Sequence, residues 1–536
     1  MSRRDPALFA AVFAVGVAAR LIPLGRSPLP YNTDGFVFAS GAERALAADA
    51  VALTGPTAPA ADQYLFVSLA AVVSELTGVA PLYVLQGLVA CLGVVPALVA
   101  VAYVRPLLSD LPRASRRGAA AFVGVGLALD GPYLFRTMSV NGEVLGLAVL
   151  FPFALALHRA VQTERPAWIA ATVALAATLP VVHNLTALVA GLVATVLVAL
   201  SLARRPTARR VAAGAVGVAG FWALTVGYYE LVALPKAGAV TASLGLFVAW
   251  IVVVVALARW IDTATPTVQR VVPLAPFAAG AAVFALNAVA PVFPGTATSS
   301  PRLLALAGPL VCLLGLAALG APRLATRRGL AVFAVVVAPL AAVGFAFTGG
   351  STPLYQDLAL RASTFLHPGA LVAVSVALAV LRRRRPALGR FAVAVAVVAL
   401  VASAALPFAG LGTIPFEPVT EPAEFDAVTV ADDRAPDGWA TDAHLALVAD
   451  NYRSSGATAA PVAAWLRGDT GPPDCPTLAR DSWTTVGAPT AVEPHRISRQ
   501  RYEEWLMNGS VVYASGGADG LALRWADGAC SGGVSP

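Results

Sequence analysis

Charged residues are scarce in this sequence, and that scarcity decides its class. Only 12% of the 536 residues are Asp, Glu, Lys or Arg, whereas 58% are hydrophobic and the mean hydropathy is +0.74. This composition excludes a single soluble globule, because apolar runs of roughly 17 to 25 residues recur and each is long enough to cross a bilayer. We therefore expect a polytopic α-helical membrane protein.

Lysine is almost absent, since Lys236 is the only one and arginine supplies the remaining positive charge. The net charge of +7 does not indicate a nucleic-acid partner, because the arginines stand in short clusters between apolar runs, where they set topology. Placing every cluster in the cytoplasm puts the N-terminus inside and the C-terminus outside. The clusters are Arg113–Arg117, Arg159–Arg165, Arg204–Arg210, Arg259–Arg270, Arg323–Arg328 and Arg382–Arg390.

The apolar runs predict about thirteen transmembrane helices. Residues 63–79 are interrupted by Ser68, Ser74 and Glu75, and a span there would move every later arginine cluster outside. We expect instead a helix lying against the outer face, within a first outer loop from about residue 25 to 80. The predicted spans are 7–24, 81–104, 118–135, 144–160, 167–183, 185–203, 211–234, 239–258, 271–290, 301–320, 329–348, 366–381 and 391–410.

No spanning run follows residue 410. From residue 415 onward there are 17 acidic residues and 8 arginines, and short helical and strand patterns alternate. We expect helices near 442–452 and 500–507, and strands near 483–487, 511–515 and 521–525. The chain thus divides into a transmembrane domain, 1–414, and a C-terminal extracytoplasmic α/β domain, 415–536, which is a normal size for one core.

Cysteine is also rare, with four in the chain. Cys475 and Cys530 are the only two in the C-terminal segment, and an outer compartment permits a disulfide. We predict a bond between them.

Polar residues collect on the predicted outer side. The stretch Tyr31-Asn32-Thr33-Asp34-Gly35-Phe36 follows the first span. A carboxylate so near lipid costs free energy, so it is expected to serve in catalysis or ion binding. Asp34 is therefore a candidate catalytic acid or base, and the alternative is a solvated loop residue. The other polar residues on this side are Asp130, Arg136, Glu143, His183, Tyr228, Glu230, Arg302, Tyr355, Asp357, Arg361 and His367.

Two motifs and the overall layout resemble the GT-C superfamily of membrane glycosyltransferases. One is Asp34 in a long first outer loop. The other is Arg136-Thr137-Met138-Ser139-Val140-Asn141-Gly142-Glu143, which is similar to the second acidic motif of oligosaccharyltransferase catalytic subunits. The resemblance implies a polyprenyl- or dolichyl-phosphate-linked sugar donor used on the outer side, with Asp34 and Glu143 as catalytic residues.

One departure from that family concerns the acceptor. Oligosaccharyltransferases carry Trp-Trp-Asp in the soluble domain, whereas the nearest stretch here is Gly438-Trp439-Ala440-Thr441-Asp442. A monosaccharide transferase, or a relative with an altered acceptor, is at least as good an interpretation as an N-glycan ligase. The acceptor therefore stays open among glycan, protein and lipid.

Glu143 is the second acidic candidate. It could share a divalent cation, Mg²⁺ or Mn²⁺, with Asp34, because two hard oxygen ligands and a phosphate suit such an ion. The alternative is a carboxylate that stabilises the N-terminus of the following span through the helix dipole.

Four residues are candidates for binding the lipid phosphate, and Arg361 is the first. It is a solitary arginine on the predicted outer side, and a guanidinium matches phosphate oxygens bidentately, although it could instead pair with Asp357. Arg302 competes for this role. His183 would suit a phosphate or a metal, or it forms only local hydrogen bonds. The four are Arg136, His183, Arg302 and Arg361.

These observations favour an outward-facing membrane glycosyltransferase. Its partners would be the lipid-linked sugar donor, a glycan, protein or lipid acceptor and membrane lipid, with no nucleic acid. The alternatives are a secondary transporter or lipid flippase with an outer accessory domain, and a non-catalytic partner in surface-glycan assembly. A transporter predicts repeated halves, and the sequence shows no such internal symmetry.

Overall fold

The structure, a computed structural model, describes residues 5–52, 60–232, 242–272, 274–292, 294, 298–408, 418–490, 494–516 and 519–530. Within these ranges, a bundle of apolar helices is followed by a smaller domain built on a five-stranded sheet. Some predicted features lie partly outside the described residues. These are 53–59 of the first loop, the ends of several spans such as 239–241 and 409–410, and the domain boundary at 414/415.

The bundle consists of helices of very different lengths. Its described α-helices are α1 (Asp5–Leu21), α2 (Asp34–Ala47), α3 (Tyr64–Thr77), α4 (Pro81–Leu92), α5 (Val95–Leu107), α6 (Arg113–Leu129), α7 (Gly131–Met138), α8 (Gly142–Thr163), α9 (Pro166–Val182), α10 (Asn184–Arg204), α11 (Ala208–Leu231), α12 (Leu244–Thr263), α13 (Pro266–Val271), α14 (Leu274–Leu286), α15 (Pro301–Ala307), α16 (Val311–Leu324), α17 (Leu330–Val337), α18 (Pro339–Gly349), α19 (Pro353–Thr364), α20 (Leu366–Arg384) and α21 (Pro386–Ala404). Short 3₁₀ turns cover Ile22–Gly25, Gly308–Leu310 and Leu406–Phe408.

Ten helical stretches in the described ranges are long and apolar enough to cross a membrane, or eleven if the bent pair α6–α7 forms one span. The prediction of a multi-pass helical membrane protein is confirmed, but the count of thirteen is not reached. Two of the predicted spans are short helices, since α9 has 17 residues and α14 has 13. The ten stretches are Pro6–Gly25, Pro81–Leu107, Gly142–Thr163, Asn184–Arg204, Ala208–Leu231, Leu244–Thr263, Pro301–Leu324, Leu330–Gly349, Pro353–Arg384 and Pro386–Phe408.

The predicted span 118–135 is broken at Asp130. Helices α6 and α7 bend there by 58°, because Asp130 adopts extended backbone angles and Pro132 in the next turn has no N–H to continue the helix. The Asp130 side chain caps α7 by accepting a 3.2 Å hydrogen bond from the N–H of Tyr133. The break follows seventeen residues of helix, so it lies towards one end of the bundle.

The segment 63–79 forms the 14-residue helix α3, as predicted. At 1.5 Å per residue it is about 21 Å long, which is shorter than the roughly 30 Å hydrocarbon layer of a bilayer. It packs against α2 and α4. The helices of the first loop therefore support one another at one end of the bundle.

Basic side chains meet at one end of the bundle, which we call the arginine end. Arg323 Nη1 lies 2.8 Å from Asp110 Oδ1, and this bond from the guanidinium lowers the pKa of the Asp110 carboxyl to about 2. Arg383 donates to the carbonyl of Asp110, and Arg328 bonds to the neighbouring Ser109. The clusters that the sequence assigns to one side of the membrane thus share one end of the molecule.

The opposite end carries the C-terminal domain, and we call it the domain end. The hydroxyl of Tyr31 donates a 2.9 Å bond to the carbonyl of Pro407, at the end of the last bundle helix. The hydroxyl of Ser27 donates a 2.6 Å bond to the carbonyl of Thr420 at the start of the C-terminal domain. The first loop therefore contacts both the last span and the domain that follows it.

The C-terminal domain is a mixed α/β domain, as predicted. Its described elements are α22 (Pro422–Arg434), β1 (Trp439–Ala440), α23 (Ala443–Arg453), β2 (Ala457–Thr458), α24 (Ala460–Arg467), β3 (Thr477–Arg480), α25 (Arg499–Met507), β4 (Ser510–Ser515) and β5 (Leu521–Trp525). The strands lie in the order β2-β1-β3-β5-β4; β1 is parallel to β2 and β3, while β5 is antiparallel to β3 and β4.

Two details of this domain test the sequence predictions. The disulfide between Cys475 and Cys530 is confirmed, with Cα atoms 5.1 Å apart. The strand predicted at 483–487 is wrong, because Asp481–Thr484 forms a 3₁₀ turn that buries Trp483. The indole of Trp483 donates a 3.0 Å bond to Asp442 in the core. An alternation of apolar and polar residues along the sequence does not reveal such a bond.

Candidate active site

The Asp34 loop is fixed by main-chain bonds to three separate parts of the chain. The N–H of Tyr31 bonds to Gln86 Oε1 at 3.1 Å, and the carbonyl of Tyr31 accepts the N–H of Val140 at 2.9 Å. Asn32, with a φ of +87°, donates its N–H to the carbonyl of Pro418 at 2.6 Å. These hydrogen bonds therefore hold the loop in a defined conformation.

Asp34 itself is exposed and is the first residue of α2. Its Oδ2 accepts a 3.3 Å bond from the side chain of Asn32. The next residue is Gly35, where a Cβ would collide with the Cβ of Pro30, so glycine is required for the close return of the chain. Asp34 thus lies at the N-terminus of a helix, where the helix dipole stabilises a negative charge.

Glu143 lies on the second loop and is nearly buried, with 3% of its side chain exposed. It belongs to the first turn of α8, which Asn141 caps by accepting the N–H of Val144 at 3.3 Å. Arg136 Nη2 lies 3.4 Å from Glu143 Oε2. Glu143 Oε1 has no hydrogen-bond partner among the described residues. One carboxylate oxygen is therefore buried without a hydrogen-bond partner in the described part of the chain.

The two acidic loops are joined directly, since Val140 of the second bonds to Tyr31 of the first. Arg361 adds a positive charge beside them: its charge interacts with those of Asp357, Glu143 and Asp34. The predicted i,i+4 pair also exists, with Arg361 Nε 2.8 Å from Asp357 Oδ1. Pairing with Asp357 and proximity to the acidic residues are thus not exclusive alternatives. Asp34, Glu143, Arg136 and Arg361 are together called the acidic-loop cluster.

His183 lies against the second loop but is engaged locally. Its Nδ1 accepts the N–H of Thr186 at 3.3 Å and lies 3.0 Å from the Thr186 hydroxyl, so it caps α10. A Cβ on Gly142 would lie 3.9 Å from the His183 ring. His183 therefore borders the acidic-loop cluster, with Nδ1 used by the helix cap.

Arg302 occupies a different part of the domain end. It is exposed on α15, which packs against α21 and the turn Leu406–Phe408. The interactions of Arg361 with Glu143 and Asp34 favour Arg361 as the arginine of the cluster.

A buried polar network beneath the loops was missed by sequence reasoning. Gln86, which is 1% exposed, accepts from Tyr31 and donates to the carbonyls of Arg20 at 3.0 Å and Met138 at 3.1 Å. Arg20 is fully buried and donates to the Thr137 hydroxyl through Nε and Nη2. Isolated Gln and Arg residues within apolar runs were the available signal. They fix the two loops to the bundle.

The residues nearest the family's acceptor motif are structural here. Trp439 is fully buried and its indole bonds to Asp432 at 2.7 Å. Asp442 is buried, caps α23 and accepts from Arg480 at 2.9 Å. Neither side chain reaches the surface. Both support the core of the domain.

A divalent cation would find two carboxylates in this cluster. Glu143 Oε1 lacks a partner within the described ranges, and Asp34 is exposed, so both carry oxygen of the kind that Mg²⁺ and Mn²⁺ prefer. The described residues contain no group of three or more His, Cys, Asp or Glu side chains placed to hold a metal. Such an ion would therefore depend on phosphate and water for its other ligands, which is common for Mg²⁺.

Several solved structures resemble this chain in fold. The apo oligosaccharyltransferase of Archaeoglobus fulgidus matches with a TM-score of 0.50 and 14% identity, over 87% of this chain and 66% of that one. Archaeal oligosaccharyltransferase AglB of the same organism, in complex with an inhibitory peptide and a dolichol-phosphate, gives 0.48 and 13%, over 85% and 65%. ArnT of Cupriavidus metallidurans bound to undecaprenyl phosphate gives 0.40 and 14%, over 98% of each chain.

The first of these matches shows a shared fold, which confirms the predicted GT-C resemblance at that level. This chain spans 66% of the length of that oligosaccharyltransferase. A scan against models of protein families and a search of curated proteins find no match.

Proposed function

We propose that this protein is a membrane glycosyltransferase that transfers a sugar from a polyprenyl- or dolichyl-phosphate carrier to an acceptor at the outer face of the membrane. The acceptor is a glycan, a protein or a lipid. The observation that carries the proposal is the direct bond between the two acidic loops, from the N–H of Val140 to the carbonyl of Tyr31, at the domain end of a membrane-spanning bundle. The Arg136–Glu143 pair lies in one of these loops. The fold shared with an oligosaccharyltransferase supports it.

Asp34 acts as the general base in this proposal. The acceptor O–H or N–H attacks the anomeric carbon of the donor sugar, the bond from that carbon to the phosphate oxygen breaks, and the acceptor proton passes to the Asp34 carboxylate. The phosphate remains on the lipid carrier. Asp34 suits this role because it is exposed and held at a fixed loop, and a positioned base of this kind contributes typically 10² to 10⁴-fold to the rate.

Arg361 and Arg136 bind the carrier phosphate. The charge that develops on the phosphate as it leaves is stabilised by guanidinium groups, which form charge-assisted and often bidentate bonds with phosphate oxygens. Arg136 is 26% exposed and its bond to Glu143 is long, which leaves donors for a ligand. The positive charge of Arg361 interacts with the charges of Glu143 and Asp34.

Glu143 holds Arg136 in place through Oε2. If a divalent cation is bound, Asp34 and Glu143 would hold it, and the cation would supply further positive charge to the leaving phosphate. The proton transfer and the binding of the lipid phosphate are assigned to this chain's own side chains.

The outer location rests on the sequence. The arginine clusters share the end opposite the acidic-loop cluster, and short basic loops stay in the cytoplasm. The disulfide in the C-terminal domain fits an oxidising compartment.

The test is sugar transfer by the purified full-length protein in lipid nanodiscs, supplied with a panel of polyprenyl-phosphate sugars and membrane-extract acceptors. Asp34→Asn should lose at least 100-fold in turnover, while Asp49→Asn, an exposed control in the same loop, should match the wild type. Absence of transfer with every donor, together with donor-lipid movement across sealed vesicles, would favour a flippase.

A further inference from the structure

The C-terminal domain bonds directly to the backbone of the two residues that precede Asp34. The side-chain amide of Asn451 donates to the carbonyl of Thr33 at 3.0 Å, and the carbonyl of Pro418 accepts the N–H of Asn32. Thr33 immediately precedes Asp34. The main chain that sets the position of the carboxylate is therefore bonded to residues about four hundred positions away in sequence.

Asn451 uses its side chain to bond to this turn, whereas Pro418 and Phe36 bond to it through main-chain groups. The Thr33 carbonyl also accepts the N–H of Phe36 in the first turn of α2, so the Asn451 bond adds a second donor at the same oxygen. Asn32 has a positive φ, a conformation that persists only where the surroundings hold it. Two bonds from one domain brace this turn.

Helix α23, which carries Asn451, is itself held firmly against α2. The rings of Phe36, Phe425 and Tyr452 form a triad, with centroids 5.5 Å apart for Phe36–Phe425 and 5.0 Å apart for Phe425–Tyr452. The Ser40 hydroxyl donates to the carbonyl of Tyr452 at 2.6 Å. These contacts fix the position of Asn451 relative to the loop, so its side-chain amide donates to the Thr33 carbonyl from a defined position.

We propose that Asn451 is a positioning residue for Asp34, and that the C-terminal domain completes the active site by bracing this loop. The inference rests on the proposed function for its kinetic part only. A carboxylate displaced by about 1 Å from its productive position can lose about 100-fold in rate. Loss of the Asn451 amide therefore lowers kcat, while the KM for the lipid donor, which depends on the arginines, stays unchanged.

The experiment compares Asn451→Ala with Asp450→Ala, a neighbouring change on the exposed side of the same helix. In transfer assays on the full-length protein, Asn451→Ala should lower kcat at least tenfold at unchanged donor KM, and Asp450→Ala should not. Asn451→Gln keeps an amide donor on a longer side chain and should recover part of the loss.

Hydrogen exchange gives a readout that does not depend on activity. The amides of residues 32–36 should exchange faster in Asn451→Ala than in the wild type, with Asp450→Ala unchanged. Equal exchange and equal kcat in the two alanine variants would overturn the inference. Faster exchange in a protein that transfers no sugar would retain the brace and remove the proposed function, so the two failures are distinguishable.

Discussion

Arg136 and Glu143 form an unequal pair: Arg136 Nη2 lies 3.4 Å from Glu143 Oε2, while Oε1 has no partner within the described residues. If Glu143 shares a divalent cation with Asp34, Glu143→Gln should lower sugar transfer at least about 100-fold, because the cation loses a charged oxygen ligand. Glu75→Gln, an exposed change on α3, is the matched control. A Glu143→Gln enzyme with more than a third of wild-type turnover would assign Glu143 to the helix dipole alone.

Removal of divalent cations distinguishes a metal-dependent transferase, in which Asp34 and Glu143 hold a cation, from one that needs no metal. If Asp34 and Glu143 hold a cation with the lipid phosphate, chelation should abolish transfer and added Mn²⁺ or Mg²⁺ should restore it. Binding of Mn²⁺ by the wild type, measured by electron paramagnetic resonance, should disappear in Glu143→Gln. Full activity after chelation would show that the arginines alone support the leaving phosphate.

Arg361 and Arg302 are the two arginines proposed for the lipid phosphate, and they give opposite expectations. Arg361→Ala should raise the KM for the lipid donor roughly ten- to a hundredfold, because a lost charge-assisted bond costs about 1.5 to 3 kcal/mol. Arg302→Ala, a change on a different helix, should leave the KM within about twofold. The reverse result would transfer the role to Arg302.

The helical class was predictable because hydropathy and arginine clustering are local properties. The count of spans was not, since it depends on backbone events such as the break at Asp130 and on the length that each apolar run has in helical form. α9 stops at His183, whose side chain caps the next helix, so a run that reads as a full span is 17 residues long.

The acidic-loop cluster was partly predictable from the same sequence. Topology predicts Asp34, Glu143 and Arg361 on one side, and the structure bonds the loop of Asp34 to the loop of Glu143. The support from Gln86 and Asn451 was not predictable, because these bonds link residues 55 and 418 positions apart and no local pattern encodes them. The burial of Trp439 likewise depends on a sheet whose order is not sequential.

The sidedness of the membrane is open to a direct test. The N-terminus and the cluster Arg382–Arg385 should be cytoplasmic and the C-terminal domain outside, because short arginine-rich loops are retained inside. Protease added to intact cells, stripped of their outer envelope where necessary, should release a fragment containing the Cys475–Cys530 disulfide. A tag at the N-terminus serves as the control and should stay protected. Complete protection of the C-terminal domain would invert the topology.

Glu43 makes the contact between the first loop and the C-terminal domain sensitive to pH. The hydroxyl of Tyr452 bonds to both its oxygens, at 3.0 and 2.8 Å. Burial raises the pKa of Glu43 above its ordinary value of 4.5, and the bond from Tyr452 and the charge of Arg44 oppose that rise only in part. The folded protein therefore holds a proton on Glu43 more tightly than the unfolded chain does.

The sign of the effect follows from that difference. Stabilisation by protonated Glu43 is fully present below about pH 4.5 and is lost as the pH rises through the raised pKa of the folded state. Glu43→Gln, neutral at every pH, should therefore stabilise the full-length protein at pH 7 by roughly a few tenths of a kcal/mol, since Glu43 is only half-buried and screened. Melting temperatures measured from pH 4 to 8 should converge for variant and wild type at the acid end, with Glu75→Gln showing no such trend. A wild type more stable than Glu43→Gln at pH 7 would mean that the ionised bond to Tyr452 outweighs the cost of burial.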